Sequence, residues 1–171
     1  GNLRNIYIDE GDFENARRVA RTAANLGNPA MMLYTGLDCH ENGNFEDAFT
    51  WFTKAAALGQ SESIAELADY YYHFYDAKEL RSTIPYDPVK AIGLYRRAAT
   101  KNFSDAGYTA LQAAFGYIFH IGHLPLDWGL IADLTHMAAT KERFMFALPY
   151  IGYMRIHGLG VTKNMRFAVQ S

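Results

Sequence analysis

The chain has 171 residues and a formal net charge of −2. This balance gives no electrostatic reason to expect a nucleic-acid partner, because nucleic-acid binders usually carry a basic face. No apolar run approaches the roughly 20 residues that a membrane-spanning helix needs, so we expect no membrane insertion. The single cysteine, Cys39, cannot form an internal disulfide, which leaves both a cytoplasmic and an exported location (periplasmic or secretory pathway) open.

A short motif recurs near the start of the chain. It reads Gly-Asp-Phe-Glu-Asn-Ala at residues 11–16 and Gly-Asn-Phe-Glu-Asp-Ala at residues 43–48. An Ala-Ala pair and a glycine follow each copy at the same displacement. A fixed period in the thirties with small residues at fixed offsets is typical of helix-turn-helix repeats, which bury their apolar faces only against neighbouring units. The motif therefore predicts an all-α fold, a right-handed α-solenoid of antiparallel helix pairs.

Alanines extend this register along the chain. The first series follows the turn of each unit and comprises Ala16, Ala48, Ala91, Ala132 and Ala168. The second series lies seven residues further on and comprises Ala23, Ala55, Ala98 and Ala139. Residues seven apart share a helix face, so both series are expected to be buried. The residues four positions after the first series are Ala20, Phe52, Tyr95 and His136, of which only His136 does not suit a core.

Small residues also mark the first helix of each unit and predict close helix crossings: Gly36, Ala68, Gly116 and Gly152. In chain order, residues 2–9 are expected to end a first helix. Second helices are expected at about 12–26, 45–58, 88–101, 127–141 and from 164 onward, and first helices at about 29–41, 61–75, 104–121 and 144–157. Pro29 and Pro88 mark helix starts, whereas Pro149 predicts a kink or a start near Tyr150.

The rest of the chain contains no segment that reads as a linker, so we predict one domain over residues 1–171. Its units are a partial one at about 1–27, then 28–59, 60–102 and 103–142, and a second partial one at 143–171. Residues 76–86 are expected to form a mobile loop. The start at Gly1 without an apolar signal segment predicts a processed or recombinant start. Met165, Phe167 and Val169 would leave an apolar end, which favours a longer natural chain or a partner there.

Two known repeat families share these patterns. Residues 11–16 and 43–48 resemble tetratricopeptide repeats in their glycine, aromatic and alanine spacing. Residues 147–168, with Ile151-Gly152 and Gly158-Leu159-Gly160-Val161, resemble the longer Sel-one-like repeat (SLR). Residues 87–99 are similar to the second half of that pattern. The chain departs from it at Asn164, where the family has aspartate, and at Arg155, where tyrosine is typical, and the fourth unit keeps only its glycines and alanines.

The resemblance implies a function as well as a fold. Members of this family are superhelical adaptors for protein complexes and signalling, so we expect a non-enzymatic scaffold with a protein or peptide partner and with neither metal nor cofactor. In such arrays the first helices line a concave groove. The matching positions here are Leu37, His40, Glu41, Asp69, Tyr72, His73, Tyr117, His120, Ile121, Tyr153, Ile156 and His157.

Seven of these groove positions form the predicted partner-binding set: Asp69, Tyr72, His73, Tyr117, His120, Tyr153 and His157. Tyrosine and histidine offer flat rings and exchange hydrogen bonds, which suits a peptide. An ordinary half-buried helix face would look the same. Because histidine changes charge near neutral pH, His40, His73, His120 and His157 predict that partner affinity shifts between about pH 7.5 and 5.5 by more than the stability of the fold does.

Two other functions fit the same features. An immunity or regulatory protein that inhibits one enzyme would bind through a rim or convex surface, and a metal-dependent enzyme would use the histidines. His120, His123 and His136 are the candidate zinc ligands, but the set is incomplete and no acidic or cysteine partner has suitable spacing. Cys39 and His40 are adjacent on a helix and point about 100° apart, so they form a poor catalytic pair. Residues 158–160 lack the third glycine and the preceding strand of a dinucleotide loop.

Overall fold

A computed structural model describes residues 3–72, 82–101, 105–119, 121–141 and 148–159. Within these ranges the secondary structure is helical, with no strand. The helices are α1 (Leu3–Asp9), α2 (Phe13–Asn25), α3 (Pro29–Glu41), α4 (Phe45–Ala57), α5 (Ser61–Tyr72), α6 (Pro88–Ala99), α7 (Ala106–Ile118), α8 (Trp128–Lys141) and α9 (Leu148–His157), with a short 3₁₀ helix at Ile121–His123.

The chain divides into two compact units, Gly1–Tyr86 and Asp87–Ser171. In the first unit each helix packs against the next from α1 to α5, and in the second unit the same holds from α6 to α9. Sequential packing of this kind is the pattern of a helical repeat array, in which each element contacts its neighbours in sequence. The single domain over residues 1–171 stays a prediction.

The helices of the first unit are separated by nearly identical turns. Gly11, Gly27, Gly43 and Gly59 have φ between +75° and +94°, the left-handed region that glycine adopts without a Cβ penalty. At one of these turns Gly27 N–H bonds to the Ala24 carbonyl at 3.0 Å and Asn28 N–H bonds to the Ala23 carbonyl at 3.1 Å. The other three turns repeat this pair of bonds, so each of these helices ends in a Schellman motif.

The residue after each of these glycines starts the next helix. The carboxylate of Asp12 accepts a bond from Asn15 N–H at 3.1 Å, and the side chain of Asn28 accepts one from Met31 N–H at 3.1 Å. These bonds satisfy backbone donors that the first helical turn leaves unpaired. Asn44 makes no side-chain bond of this kind at the start of α4. The helices α2, α3, α4 and α5 nevertheless begin at equal intervals, at Phe13, Pro29, Phe45 and Ser61, since the glycine turn is the same before each of them.

The second unit has less regular connections. Its helices begin at Pro88, Ala106, Trp128 and Leu148, and the three intervals between these starts differ from one another. Asp87 caps α6 by accepting from Lys90 N–H at 2.9 Å, and Asp127 accepts from Leu130 N–H at 3.0 Å at the start of α8. Aspartate caps therefore fix two of the helix starts in this unit. The intervals between its helix starts are unequal and longer than those of the first unit.

The first alanine series is buried as predicted at Ala16, Ala48, Ala91 and Ala132; Ala168 lies outside the described residues. In the second series Ala55 and Ala98 are fully buried, but Ala23 and Ala139 are only half-buried, so the prediction was wrong at those two positions. Their neighbours Ala24 and Ala138 are fully buried instead. In α8 the most deeply buried side chains are those of Ile131, Leu134, Thr135 and Ala138, so Ala139 lies at the edge of the buried face.

Small residues allow two close helix crossings. A Cβ added to Gly36 would lie 2.6 Å from Cε1 of Phe52, so α3 and α4 meet at this glycine. A Cβ added to Gly116 would lie 2.5 Å from Cγ1 of Ile92, so α6 and α7 meet there. Real Cβ atoms do not approach other atoms this closely, so a larger residue at either glycine would force the facing side chain to shift.

The helix bounds agree with the prediction to within a few residues wherever the structure describes them. Pro149 is the second residue of α9, in the first turn, where proline is accepted. His136 is exposed, whereas Phe52 and Tyr95 are buried in the equivalent positions. Within the loop predicted at 76–86, Ile84 is buried, while residues 76–81 lie outside the described residues, as does the segment from 164 onward.

Candidate interaction surfaces

The predicted groove residues of the first unit lie at the end of α5 and in α3. Asp69 and Tyr72 are half-buried. The ring of Tyr72 lies 6.3 Å from that of Tyr86, and burial raises the pKa of its hydroxyl. His73 lies outside the described residues. The two described members of the predicted set in this unit are therefore partly accessible at one end of a helix.

His40 makes an internal contact instead of facing an open groove. Its Nδ1 is hydrogen-bonded to the hydroxyl of Tyr70 at 2.8 Å, which joins α3 to α5. Its ring packs edge-on against Phe45, with ring centroids 5.3 Å apart. Burial lowers the pKa of His40, although Glu41 opposes this, and burial raises the pKa of Tyr70, which is fully buried. The neutral imidazole is thus the form that suits this position.

In the second unit, exposed and half-buried aromatic side chains lie on α7 and α9. Tyr153 is 55% exposed, and its ring centroid lies 4.4 Å from that of His157, one turn further along α9. On the same helix Tyr150 packs edge-on against Phe115 of α7 at 5.3 Å. Phe115 in turn contacts Phe119, which is 67% exposed. These five residues are called the aromatic surface below.

Two further members of the predicted set belong to α7 and the residues after it. Tyr117 is buried, and its hydroxyl accepts a hydrogen bond from Arg96 Nη1 of α6 at 3.4 Å. Its ring therefore packs within the second unit and offers little surface to a partner. His120 lies outside the described residues.

A cleft of about 750 Å³ lies between α1, α2 and α3 in the first unit. Its floor contains the buried Ala16 and Ala20. Leu37 and Glu41, both predicted groove positions, line it. Four arginines that were not predicted as a site also line it: Arg4, Arg17, Arg18 and Arg21.

Two contacts organise the walls of this cleft. Arg17 Nε lies 2.6 Å from Asp38 Oδ1, so an ion pair joins α2 to α3. The guanidinium of Arg4 lies 3.6 Å from the centroid of the Tyr34 ring, a cation–π contact that joins α1 to α3. Arg4 occupies the position where later units carry a small residue, and this departure from the repeat was the available sequence signal.

The described residues contain no group of three His, Cys, Asp or Glu side chains placed to hold a metal ion. Of the three histidines considered as ligands, His123 and His136 are both exposed, and His120 is not described. Cys39 is buried and burial raises the pKa of its thiol, which disfavours the reactive thiolate. In the described part of the chain no helix has the length and apolar character required to cross a membrane.

Solved structures share this fold along nearly the whole chain. A Sel1 repeat protein from Oxalobacter formigenes matches with a TM-score of 0.80 and 23% identity, covering 99% of this chain and 67% of that one. A protective antigen of uropathogenic Escherichia coli with an SLR fold matches with a TM-score of 0.76 and 19% identity over 97% of this chain. A Sel1 repeat protein from Klebsiella pneumoniae matches with a TM-score of 0.52 and 23% identity, covering 98% of this chain and 80% of that one. The protein is therefore an α-solenoid, as predicted.

The family model for the Sel1 repeat matches residues 20–60, 61–103 and 150–170. These segments include more than half of the chain, which belongs to the Sel1 repeat family. Sel1 repeats generally act as protein-interaction scaffolds. The chain spans 35% of the length of the E. coli antigen. No curated protein matches the chain.

Proposed function

We propose that this protein is a non-enzymatic scaffold that binds a segment of a partner protein along its first helices. The accessible described members of the predicted contact set are Asp69 and Tyr72 in the first unit and Tyr153 and His157 in the second, whereas Tyr117 is left out because it is buried. The observation that carries the proposal is the aromatic surface of α7 and α9 in a member of a protein-interaction family.

The chemistry of the aromatic surface supports a peptide ligand. Tyr153 and His157 each combine a flat ring with a polar group that exchanges hydrogen bonds. Phe119 leaves a large apolar side chain in water beside the ring of Phe115, and a partner could cover both rings. A partner that covers these rings would gain apolar burial and pair with the tyrosine hydroxyl and the imidazole at once.

Site-specific crosslinking tests this function. A photoreactive phenylalanine analogue replaces Tyr153 in one variant. In two separate variants it replaces Tyr72 or the exposed Val89 of α6. Irradiation in cells that express the protein should give one defined crosslinked partner from positions 153 and 72. The Val89 position, which is outside the contact set, should give none.

Crosslinks that form equally from Val89 would contradict a specific site on the first helices. Elemental analysis of the purified protein is the second check, aimed at enzymatic function. Stoichiometric zinc or iron would overturn the non-enzymatic assignment and favour a metal-dependent enzyme that uses the histidines.

A further inference from the structure

The turn between α3 and α4 contains the only Asn-Gly pair in the sequence, Asn42-Gly43. Both residues are exposed. An asparagine side chain can react with the backbone nitrogen of the next residue, and glycine hinders this approach least because it has no side chain. In contrast, Asn44 precedes a phenylalanine, and Asn28 precedes a proline, which has no N–H. Asn42 is therefore the asparagine whose neighbour best suits this reaction.

The reaction is a deamidation, and its only co-reactant is water. The Gly43 nitrogen would lose its proton to the solvent and form a bond to Cγ of Asn42, while the Cγ–Nδ2 bond breaks and ammonia leaves. Water then opens the succinimide ring that has formed. Attack of water at Cγ gives aspartate, whereas attack at the backbone carbonyl carbon gives isoaspartate, in which the main chain runs through the side chain. No atom is oxidised or reduced.

The folded turn holds the reacting groups in an unreactive arrangement. Gly43 N–H donates to the His40 carbonyl at 2.9 Å, so base in the solvent has little access to its proton. Asn42 Nδ2 donates to the Asp38 carbonyl at 2.6 Å, which holds the side chain against α3. With ψ of Asn42 at 6°, the Gly43 nitrogen is rotated away from Cβ, and the ring cannot close unless this peptide turns. The turn must therefore open before Asn42 can react.

We propose that Asn42 is a deamidation site that the Schellman turn between α3 and α4 keeps latent, and that it reacts when this turn opens. The change is irreversible because ammonia is lost, so its extent measures how often the turn has opened. Native proteins open locally at free energies below that of global unfolding. The inference is independent of the scaffold function, since it depends on the chemistry of one turn.

The product would weaken the turn that had protected the asparagine. A carboxylate at position 42 has no proton to donate, so the bond to the Asp38 carbonyl is lost. It also places a negative charge at the carboxyl end of α3, where the helix dipole disfavours one. Isoaspartate lengthens the main chain between the α3 carbonyls and their donors, the N–H groups of Gly43 and Asn44. Deamidation would thus convert a closed turn into a loosened one.

Peptide mapping of the full chain by tandem mass spectrometry tests the inference. The protein is incubated in mildly alkaline buffer, once folded and once in guanidinium chloride, and the deamidated fraction at each asparagine is followed with time. In guanidinium chloride we expect Asn42 to react faster than Asn44, which is also exposed. In the folded protein Asn42 should react about tenfold more slowly or less, which corresponds to about 1.4 kcal/mol for opening the turn.

Two proline variants test which turn controls the reaction. Asn44→Pro removes the N–H that bonds to the Cys39 carbonyl at 2.8 Å and leaves the Asn-Gly pair intact. It should speed folded-state deamidation of Asn42 about threefold or more and leave the rate in guanidinium chloride unchanged. The matched control, Gln60→Pro, removes the equivalent bond to the Ala55 carbonyl at 3.1 Å from the turn before α5. It should leave the rate at Asn42 unchanged.

A third variant tests the effect of the product. Asn42→Asp imitates the aspartate form, and it should lower the denaturant midpoint of unfolding. Asn25→Asp adds the same charge at an exposed position at the end of α2, and it should lower the midpoint less.

Four outcomes would overturn the inference. They are equal rates at Asn42 in the folded and denatured protein, a rate no faster than that of Asn44 in guanidinium chloride, equal acceleration by the two proline variants, and an unchanged midpoint for Asn42→Asp. Each of them leaves the scaffold function intact, because crosslinking at Tyr153 is a separate readout.

Discussion

The two units of this chain are built on different local rules. In the first, α2 to α5 start at equal intervals and a left-handed glycine precedes each of them. In the second, the helices start at longer and unequal intervals, and the positive-φ residues described there are His123 and Gly158. The comparison shows that one solenoid can set its helix spacing either by a repeated turn or by unequal connections between packed helices.

Helix crossings, in contrast, use the same device in both units. Gly36 admits the ring of Phe52 in the first unit, and Gly116 admits Ile92 in the second. The contacted residue lies in the helix after the glycine in one case and in the helix before it in the other. The partner of each glycine at a close crossing therefore differs between the units, whereas the turns of the first unit repeat at a fixed interval.

The largest expected effect comes from the core of the first unit. Replacing the fully buried Phe52 by alanine should lower the free energy of unfolding by about 3–5 kcal/mol, because it removes a ring that contacts Tyr70 and fills the space above Gly36. Urea unfolding followed by circular dichroism measures this change. The matched control is Phe13→Ala, at a phenylalanine that is 61% exposed, and it should cost less than about 0.5 kcal/mol. Similar losses for both variants would show that the described core is wrong.

A second test compares two glycines inside helices. Gly36→Ala should destabilise the protein by about 1–3 kcal/mol, since the added methyl group would meet the ring of Phe52 at 2.6 Å. Gly93→Ala in α6 has nothing within 4 Å of the new Cβ and should stabilise by up to about 1 kcal/mol through better helix propensity. Thermal unfolding of the two variants should shift in opposite directions. A stabilising Gly36→Ala would contradict the close crossing of α3 and α4.

The repeated turns of the first unit predict a smaller effect. At Gly43, with φ of +76°, the added Cβ of alanine meets no other atom, so the cost of Gly43→Ala comes from the left-handed backbone alone, about 1–2 kcal/mol. Asparagine tolerates this conformation better, and Gly43→Asn should recover part of the loss. Chemical unfolding of the three proteins measures the series. Equal stabilities would mean that the Schellman turns do not set the helix spacing.

The smallest effect is a pH dependence of stability carried by His40. Burial lowers its pKa in the folded protein below the ordinary value of 6.5, so the unfolded chain takes up the proton first as the pH falls. His40 therefore makes its full contribution to the free energy of unfolding above about pH 6.5. This contribution is lost as the pH falls from that value towards the lower folded-state pKa. Unfolding measured between pH 7.5 and 5 should show this loss, and His40→Gln should reduce it.

The matched control for this pH effect is His157→Gln, at an exposed histidine on α9. It should leave the pH dependence of stability as it is in the parent protein. If His40→Gln and the parent protein show the same profile, the contact between His40 and Tyr70 does not depend on the neutral imidazole.

The helices could be predicted because their signals are local. Glycine followed by Asp, Asn or Gln ends one helix and starts the next, and the alanine spacing gives the buried face. The equal interval between helix starts is visible in the sequence at Gly11, Gly27, Gly43 and Gly59, although the recurring motif marks only every second one of them. Local sequence was sufficient for the fold class and for most helix bounds.

The site was harder to predict because it depends on contacts between distant residues. His40 pairs with Tyr70, far along the chain, and only the packing of α3 near α5 shows that its ring is turned inward. Tyr117 is buried by its own unit, which its position in the repeat does not reveal. The cleft needs α1, α2 and α3 together, so its lining residues come together only in three dimensions.

The central claim is that the first helices hold a partner protein, and partner affinity tests it most directly. Once the crosslinked partner is identified, its dissociation constant is measured for the parent protein and for Tyr153→Ala/His157→Ala. The control is Leu26→Ala/Leu58→Ala, which removes two exposed leucines from the first unit. We expect the first variant to weaken binding about tenfold or more, as loss of aromatic contact residues usually does, and the control to bind normally. Unchanged affinity of the Tyr153 and His157 variant would contradict the claim.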